Sequence, residues 1–159
     1  MNKNKTKNSS YKKTISIVSP CFNEEDNVIN LYNTVFKIMK KQPYNYEHIF
    51  IDNSSTDSTV SKIKKLAKKD KNLKLIVNTR NFGTIRSPFY GITQSSGDAC
   101  ILIACDFQDP PELINDFIKS WKNGFKVILA KKETADGNSF MFYLRKKYYR
   151  FMHRISEVT

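Results

Sequence analysis

Apolar and polar positions along the chain follow two alternating rhythms. Thr14 to Ser19 (TISIVS) is a continuous β-branched stretch, which predicts a buried strand closed by a turn at Pro20. Asn23 then stands where a helix cap belongs, with Glu24, Glu25 and Asp26 at the positive end of that helix. Val28, Leu31, Tyr32, Val35, Ile38 and Met39 recur at helical spacing and form one apolar stripe to about Lys41. The unit then repeats. His48 to Asp52 (HIFID) is a second apolar run, Asn53 to Asp57 a polar turn, and Val60, Ile63, Leu66 and Ala67 a second helical stripe.

Leu73 to Val77 predicts a third strand, and Ser87-Pro88 has the cap-then-proline order that opens a helix through about Ser95. Ala99 to Cys105 (ACILIAC) is apolar without alternation, the pattern of a strand covered on both faces, and is predicted to be the central strand. Pro110 and Pro111 start a further helix with Ile114, Phe117, Ile118 and Trp121 on one face, and Lys126 to Ala130 predicts a fifth strand. Strands alternating with helices over short connections predict an α/β fold: an open, mostly parallel sheet with helices on both faces. Residues 14–159 are expected to form one domain behind a disordered basic tail, residues 1–13.

Charge changes this picture only at the ends. The 27 Lys and Arg against 15 Asp and Glu give +12, but residues 1–13 hold five Lys and no acid. Phe140 to Thr159 holds five basic residues and one acid, which leaves the middle of the chain near balance. A basic excess at the termini suggests an anionic partner. With no RNP-like aromatic motif, zinc-ligand spacing or helix-turn-helix signature, nucleic acid is not expected. Phe140, Leu144, Tyr148, Phe151 and Ile155 share one helical stripe, and Lys146, Arg150 and Arg154 another. Such a helix either packs on the sheet or lies on an anionic membrane surface.

The longest apolar run, Ala99 to Cys105, is far short of the roughly 20 residues of a membrane span, and the tail lacks the apolar stretch of a secretory signal. A cytoplasmic protein, peripheral at the membrane if its basic helix binds there, is expected. Cys21, Cys100 and Cys105 are expected to be buried reduced thiols, and the solitary His48 and His153 do not suggest a zinc site or a catalytic histidine.

Ligands of open α/β sheets bind beyond the carboxyl ends of the strands. There the chain carries Pro20-Cys21-Phe22-Asn23-Glu24, Asp52-Asn53-Ser54-Ser55, Arg80-Asn81-Phe82-Gly83 and Asp106-Phe107-Gln108-Asp109. Asp106, Gln108 and Asp109 place three oxygen-bearing side chains in four residues, suited either to a divalent cation with a diphosphate or to a capped turn. Asp52 can accept from a base N–H or close an Asx turn, the turn being the commoner use. Arg80 and Arg86 flank Gly83, where the backbone can approach a phosphate.

The ordered set SPCFNEEDN, IDNSSTDST, TRNFGTIRSPFYGI, SSGDA and DFQDPPELI resembles the family 2 glycosyltransferases of the GT-A fold. Within them it looks like the polyisoprenyl-phosphate sugar transferases, the group that contains dolichol-phosphate mannose synthase and the undecaprenyl-phosphate glucosyltransferases. The resemblance spans about Thr14 to Ser156. It implies that Pro20, Asn23 and Glu24 wrap a nucleotide, that Asp52 contacts uracil, and that Asn53 stands where a second Asp is common. Arg80, Asn81 and Gly83 match the loop beside the ribose and diphosphate; Asp106 and Gln108 match a pair binding Mg²⁺ or Mn²⁺, with Asp109 adjacent. Asp106 and Asp109 are thus the implied catalytic acids.

Three positions depart from the family pattern: Ala104 replaces the first acid of an Asp-x-Asp triplet, Thr84 replaces a frequent His, and Asp136-Gly137-Asn138 replaces a Ser/Glu-type stretch. Family members also continue past the equivalent of Thr159, so the chain is expected to be truncated at its C-terminus. The implied reaction is inverting transfer of a sugar from a UDP-sugar or GDP-sugar to a polyprenyl phosphate, whose ionised oxygen needs little help from a general base. Arg86, Lys131, Lys132 or Arg145 would hold the acceptor phosphate, or form a solvated face. The alternatives are a nucleotide-binding remnant without turnover and a basic anion-binding module. Oligomeric state is not legible.

Overall fold

A computed structural model describes residues 12–131, 143 and 147–152. The elements in chain order are β1 (Thr14–Cys21), α1 (Val28–Met39), β2 (Asn45–Asp52), α2 (Thr59–Ala67), β3 (Leu73–Val77), α3 (Gly83–Thr93), β4 (Ala99–Leu102) and α4 (Leu113–Lys122). The sheet order is β3-β2-β1-β4, and every pairing is parallel. The chain divides into two compact units, residues 1–126 and 127–159. The sheet and its four helices belong to the first.

Alternation along β1 and β2 sorts side chains to two faces. Ile15, Ile17 and Phe50 join Val28, Leu31, Val35 and Met39 of α1, Ile63 of α2, and Ile114 and Ile118 of α4 in the larger core. Val18, Ile49 and Ile51 face the other way with Ile76. There α3 comes so close that a Cβ on Gly91 would stand 2.8 Å from Val18 Cγ1 and 3.0 Å from Ile51 Cγ2. Helices thus cover both faces, as the pattern predicts, and the winding direction reverses between β1 and β4.

At the amino end of the sheet, Glu47 of β2 is 5% exposed and fully partnered. It accepts hydrogen bonds from Ser16 Oγ (2.5 Å) and from Ser96 N (2.7 Å) and Oγ (3.0 Å), and it pairs with Lys74. Burial pushes its carboxyl up, but the Lys74 ammonium and the hydrogen bonds from Ser16 and Ser96 outweigh this and bring the pKa to about 2. Gly97 N donates to Ser16 Oγ (2.9 Å), Thr14 N donates to Asp98 Oδ2 (2.8 Å), and Asp98 N donates to Thr14 O (2.8 Å). The SSGDA segment is therefore a clasp between β1, β2 and the start of β4. No side chain fits at Gly97, where a Cβ would lie 2.7 Å from Ser16 Oγ and 2.8 Å from Ser16 N.

Several expectations are corrected by tertiary context. β1 continues through Pro20 to Cys21. Val18 O receives Ile103 N on the β4 side, and alternation puts Pro20 on that same side past the last ladder bond, where its missing N–H costs nothing. Asn23 is not a helix cap: the chain first turns, with Asn27 N and Val28 N both donating to Glu24 O, and Asn27 occupies the cap position. α3 starts at Gly83 and contains Pro88 in its interior, because the buried Ser87 and the close approach of Gly91 hold this segment on the sheet.

β4 is shorter than the run Ala99 to Cys105 and lies at the edge of the described sheet, not at its centre. Ile101 and Ile103 point into the core while Leu102 is 46% exposed, so an unbroken apolar run marked a strand without marking its rank. Cys21 and Cys105 are buried free thiols, but Cys100 is exposed on that open face. Lys126 to Ala130 forms no ladder among the described residues; an extended segment becomes a strand only where a neighbour pairs with it. In the second unit, residues 147–152 are helical, with the Tyr148 and Tyr149 rings 5.6 Å apart and Lys147 Nζ 5.3 Å from the Tyr143 ring. Phe140, Leu144, Arg145, Lys146, Arg154 and Ile155 of the expected basic helix lie outside the described residues, as do residues 1–11 of the tail.

Candidate functional site

The reversal between β1 and β4 marks the carboxyl ends of these strands as the place of the usual ligand crevice of a doubly wound sheet. Parallel register puts Cys21 beside Asp52 and Asp52 beside Val77, so the loops after β1, β2 and β3 leave the sheet at one level. The thiol of Cys21 lies 3.7 Å from Ile51 O and 3.9 Å from Asp52 Oδ1, beside the free thiol of Cys105. Asp106 follows directly. A buried contact chain thus runs from the end of β2 through β1 to the Asp106 loop. The Cys105 contact, burial and the nearby carboxylates all push the Cys21 thiol far up, so it stays protonated.

Loops after β1 and β2 are laced together by side chains that bond to the opposite backbone. Asn23 N donates to Ser55 Oγ (2.9 Å), Glu24 N to Thr59 Oγ1 (2.8 Å) and Glu25 N to Asp57 Oδ2 (3.1 Å). In return Thr56 N donates to Asn23 Oδ1 (2.9 Å) and Ser58 N to Glu25 Oε2 (3.2 Å). Asn23 takes φ +54°, a left-handed conformation that Asn tolerates better than most residues and that turns its amide toward Thr56. Burial pushes the Asp57 carboxyl up, but hydrogen bonds from Thr59 and Glu25 N hold it below the usual range.

Asp52 is fully buried, and its carboxylate accepts from Ser55 N (2.9 Å) and Ser55 Oγ. Both bonds reach three residues on, one further than in an Asx turn, and close the turn after β2. Pro20 is half-buried at the crevice. Asn53 reaches the third loop, bonding to Asn81, Phe82 and Gly83. Arg80 on that loop is exposed, its guanidinium 4.7 Å from the Phe82 ring centroid, and Gly83 takes φ +83°. Arg86 is exposed on α3. Lys132 and Arg145 lie outside the described residues.

Beyond β4, Phe107 takes φ +55° and bends the chain so that Gln108 N donates to Asp106 Oδ1 (3.1 Å). Asp106, Gln108 and Asp109 are all exposed on this one loop. Among the described residues no cluster of three His, Cys, Asp or Glu side chains suffices alone to hold a metal ion. Two carboxylates and an amide are instead the sparse, hard donor set that Mg²⁺ or Mn²⁺ completes with substrate phosphate oxygens, and the loop fits that use. Sequence reasoning gave no separate role to Ser55, Asp57 or Thr59, for which the density of Ser, Thr and Asp in IDNSSTDST was the available signal; it passed over Asn78 and read Ser87 only as a helix cap.

A sheet of this order, with its polar loops gathered at the switch point, defines a doubly wound α/β protein with the usual ligand position of that class. The chain belongs to glycosyl transferase family 2, whose model matches residues 16–158. It is 38% identical over 148 residues to the bactoprenol glucosyl transferase of Shigella phage SfV, covering 89% of this chain and 47% of that protein. The prophage bactoprenol glucosyl transferase homolog of Escherichia coli K12 is 36% identical, with the same two coverages. The chain spans about half the length of the curated relatives it matches.

Among solved structures, S. aureus TarS 1-349 in complex with UDP-GlcNAc matches with a TM-score of 0.59 at 22% identity, over 79% of this chain and 36% of that one. Glucosyl-3-phosphoglycerate synthase from Mycobacterium tuberculosis in complex with UDP matches with a TM-score of 0.55 at 20% identity, over 92% and 53%. These likenesses establish the GT-A fold.

Proposed function

We propose that this chain carries the donor site of an inverting glycosyltransferase that moves a sugar from a UDP-sugar to a polyprenyl phosphate. The observation that carries this reading is the exposed Asp106-Gln108-Asp109 loop at the β1/β4 switch point, beside the laced loops of Asn23, Glu24, Asp52 and Arg80. The names of the bactoprenol glucosyl transferases support the lipid acceptor, and the UDP complexes of the structural neighbours favour uridine over guanosine.

In this reading Pro20, Asn23, Glu24 and Asp52 frame the base and ribose, while Arg80, Asn81 and Gly83 border the diphosphate. Asp106 and Gln108 hold Mg²⁺ or Mn²⁺, which when bound supplies Lewis-acid stabilisation of the departing diphosphate. Asp109 orients the sugar. The acceptor phosphate oxygen attacks the anomeric carbon from the face opposite the diphosphate; the new C–O bond forms as the old one breaks, and the electron pair leaves with the nucleoside diphosphate. No proton need be removed from the attacking oxygen, so charge and position dominate. Arg86, exposed on α3, would hold the acceptor phosphate.

No helix among the described residues is long and apolar enough to cross a membrane. We place the reaction at the cytoplasmic face, with the basic segment of residues 140–155 on anionic lipid. Neutralising Lys146, Arg150 and Arg154 should then weaken sedimentation with anionic vesicles. Equal binding to neutral vesicles would refute that attachment.

Calorimetric titration of UDP and GDP, with Mn²⁺ or Mg²⁺, with chelator and with Asp106→Ala, tests the donor site. UDP binding that needs both the metal and Asp106 is expected. Incubation with a UDP-sugar and a polyprenyl phosphate tests turnover: binding without transfer would leave a donor module, and no binding to a folded protein would end the reading.

A further inference from the structure

Asn53 stands directly after β2, only 7% exposed, at a junction between three segments. Its Nδ2 donates to Asn81 Oδ1 (2.8 Å) and to Gly83 O (3.3 Å), and its Oδ1 accepts from Phe82 N (2.9 Å) and from Asn78 Nδ2 (3.2 Å). Two of these partners are backbone groups with fixed roles, since Phe82 N can only donate and Gly83 O can only accept. They settle which end of the Asn53 amide is which. Asn78 Nδ2 also donates to the buried Ser87 Oγ (3.0 Å), so the junction is braced from α3 as well.

We infer that Asn53 is a positioning residue: it fixes the Arg80–Gly83 loop in its donor-binding geometry through an amide that both donates and accepts, without itself touching the nucleotide. The inference rests on the donor site proposed above. A carboxylate has the same shape but can only accept. At position 53 it would confront Asn81 Oδ1 and Gly83 O with no proton between them. Rotating the Asn81 amide would satisfy the carboxylate only by withdrawing the oxygen that accepts from Gly83 N at 2.8 Å. Either way the loop must move, and it carries the Arg80 guanidinium stacked on Phe82. The Asp common at this position in the family would therefore not substitute for Asn here.

The test follows hydrogen exchange at the Phe82 amide and UDP affinity on the full chain, comparing the unsubstituted protein, Asn53→Asp and Gly97→Ala. Asn53→Asp is expected to speed Phe82 exchange at least tenfold and weaken UDP binding about tenfold. Gly97→Ala, at the opposite end of the sheet, should lose stability while leaving both readouts unchanged in the folded protein. If Asn53→Asp does not fold, Asn78→Ala removes one brace from outside the site and should move both readouts in the same direction, about threefold. UDP bound by Asn53→Asp as tightly as by the unsubstituted chain would overturn the inference alone, as would unchanged Phe82 exchange. No UDP binding by the unsubstituted chain would overturn the donor site and the inference together.

Discussion

At the amino ends of β1, β2 and β4, one buried carboxylate, Glu47, gathers Ser16, Lys74 and Ser96 around itself, and Gly97 has no room for a side chain. At the carboxyl ends the acids are distributed. Asp52 and Asp57 serve turns and neighbouring loops, while Asp106 and Asp109 stand exposed on a loop of their own. The same strands thus end in a closed knot on one side and an open rim on the other. A charge surrounded by hydrogen-bond donors supports the fold, whereas one left facing water is available to a ligand.

Glu47→Ala should break the comparison most strongly at its closed end. It leaves the Ser16 hydroxyl and the Ser96 amide and hydroxyl without their shared acceptor, and a loss of roughly 3 kcal/mol in denaturant unfolding is expected, as when buried donors lose a charged acceptor. UDP affinity of the remaining folded protein should be unchanged. The Glu47 carboxyl, brought to about 2 from an ordinary 4.5, adds stability that is whole above pH 4.5 and is lost as pH falls towards 2. Gly97→Ala should follow at about 2 kcal/mol, because the new methyl meets backbone as well as Ser16 Oγ.

His48 sharpens the contrast within the core. Its Nε2 pairs with Ser19 Oγ at 3.0 Å, its ring lies 4.3 Å from that of Phe50, and Nδ1 has no partner among the described residues. Burial lowers its pKa to about 3 from an ordinary 6.5. The unfolded chain therefore takes up a proton that the folded one refuses. Stability should decline as pH falls below 6.5, by up to about 1.4 kcal/mol per pH unit, and His48→Gln should remove that slope between pH 6.5 and 5. The smallest change in stability, about 0.5 kcal/mol or less, is expected of Asp106→Ala on the exposed loop. Metal-dependent UDP binding should be lost in that variant.

The alternation of elements and most of the core were legible because each strand and helix announces itself within about ten residues. Rank in the sheet was not. ACILIAC carries the pattern of a doubly covered strand, yet nothing local to it says that it lies outside β1 with Leu102 uncovered. Pro88 misled for a related reason, since a local start signal yielded to the fit of Ser87 and Gly91 against the sheet. The rim residues were legible as motifs on predicted strand ends. Their partners were not, because Asn23 meets Thr56, and Asn53 meets Gly83, only once the strands are in register.

The SSGDA clasp also bears on the order in which the protein assembles. Its bonds tie Thr14 to Asp98 and Ser16 to Gly97, separations of 84 and 81 residues, whereas Ser16 meets Glu47 across 31. Closing the longer loop costs about 1 kcal/mol more chain entropy than closing the shorter one. β1, β2 and β3 can therefore associate first, with Glu47 already waiting for Ser96, and β4 docks last. A growing chain on the ribosome would hold a three-stranded intermediate with an unpaired β1 edge until about residue 103 had emerged. That exposed edge is the moment of greatest risk for pairing with another chain, and the clasp ends it in one step.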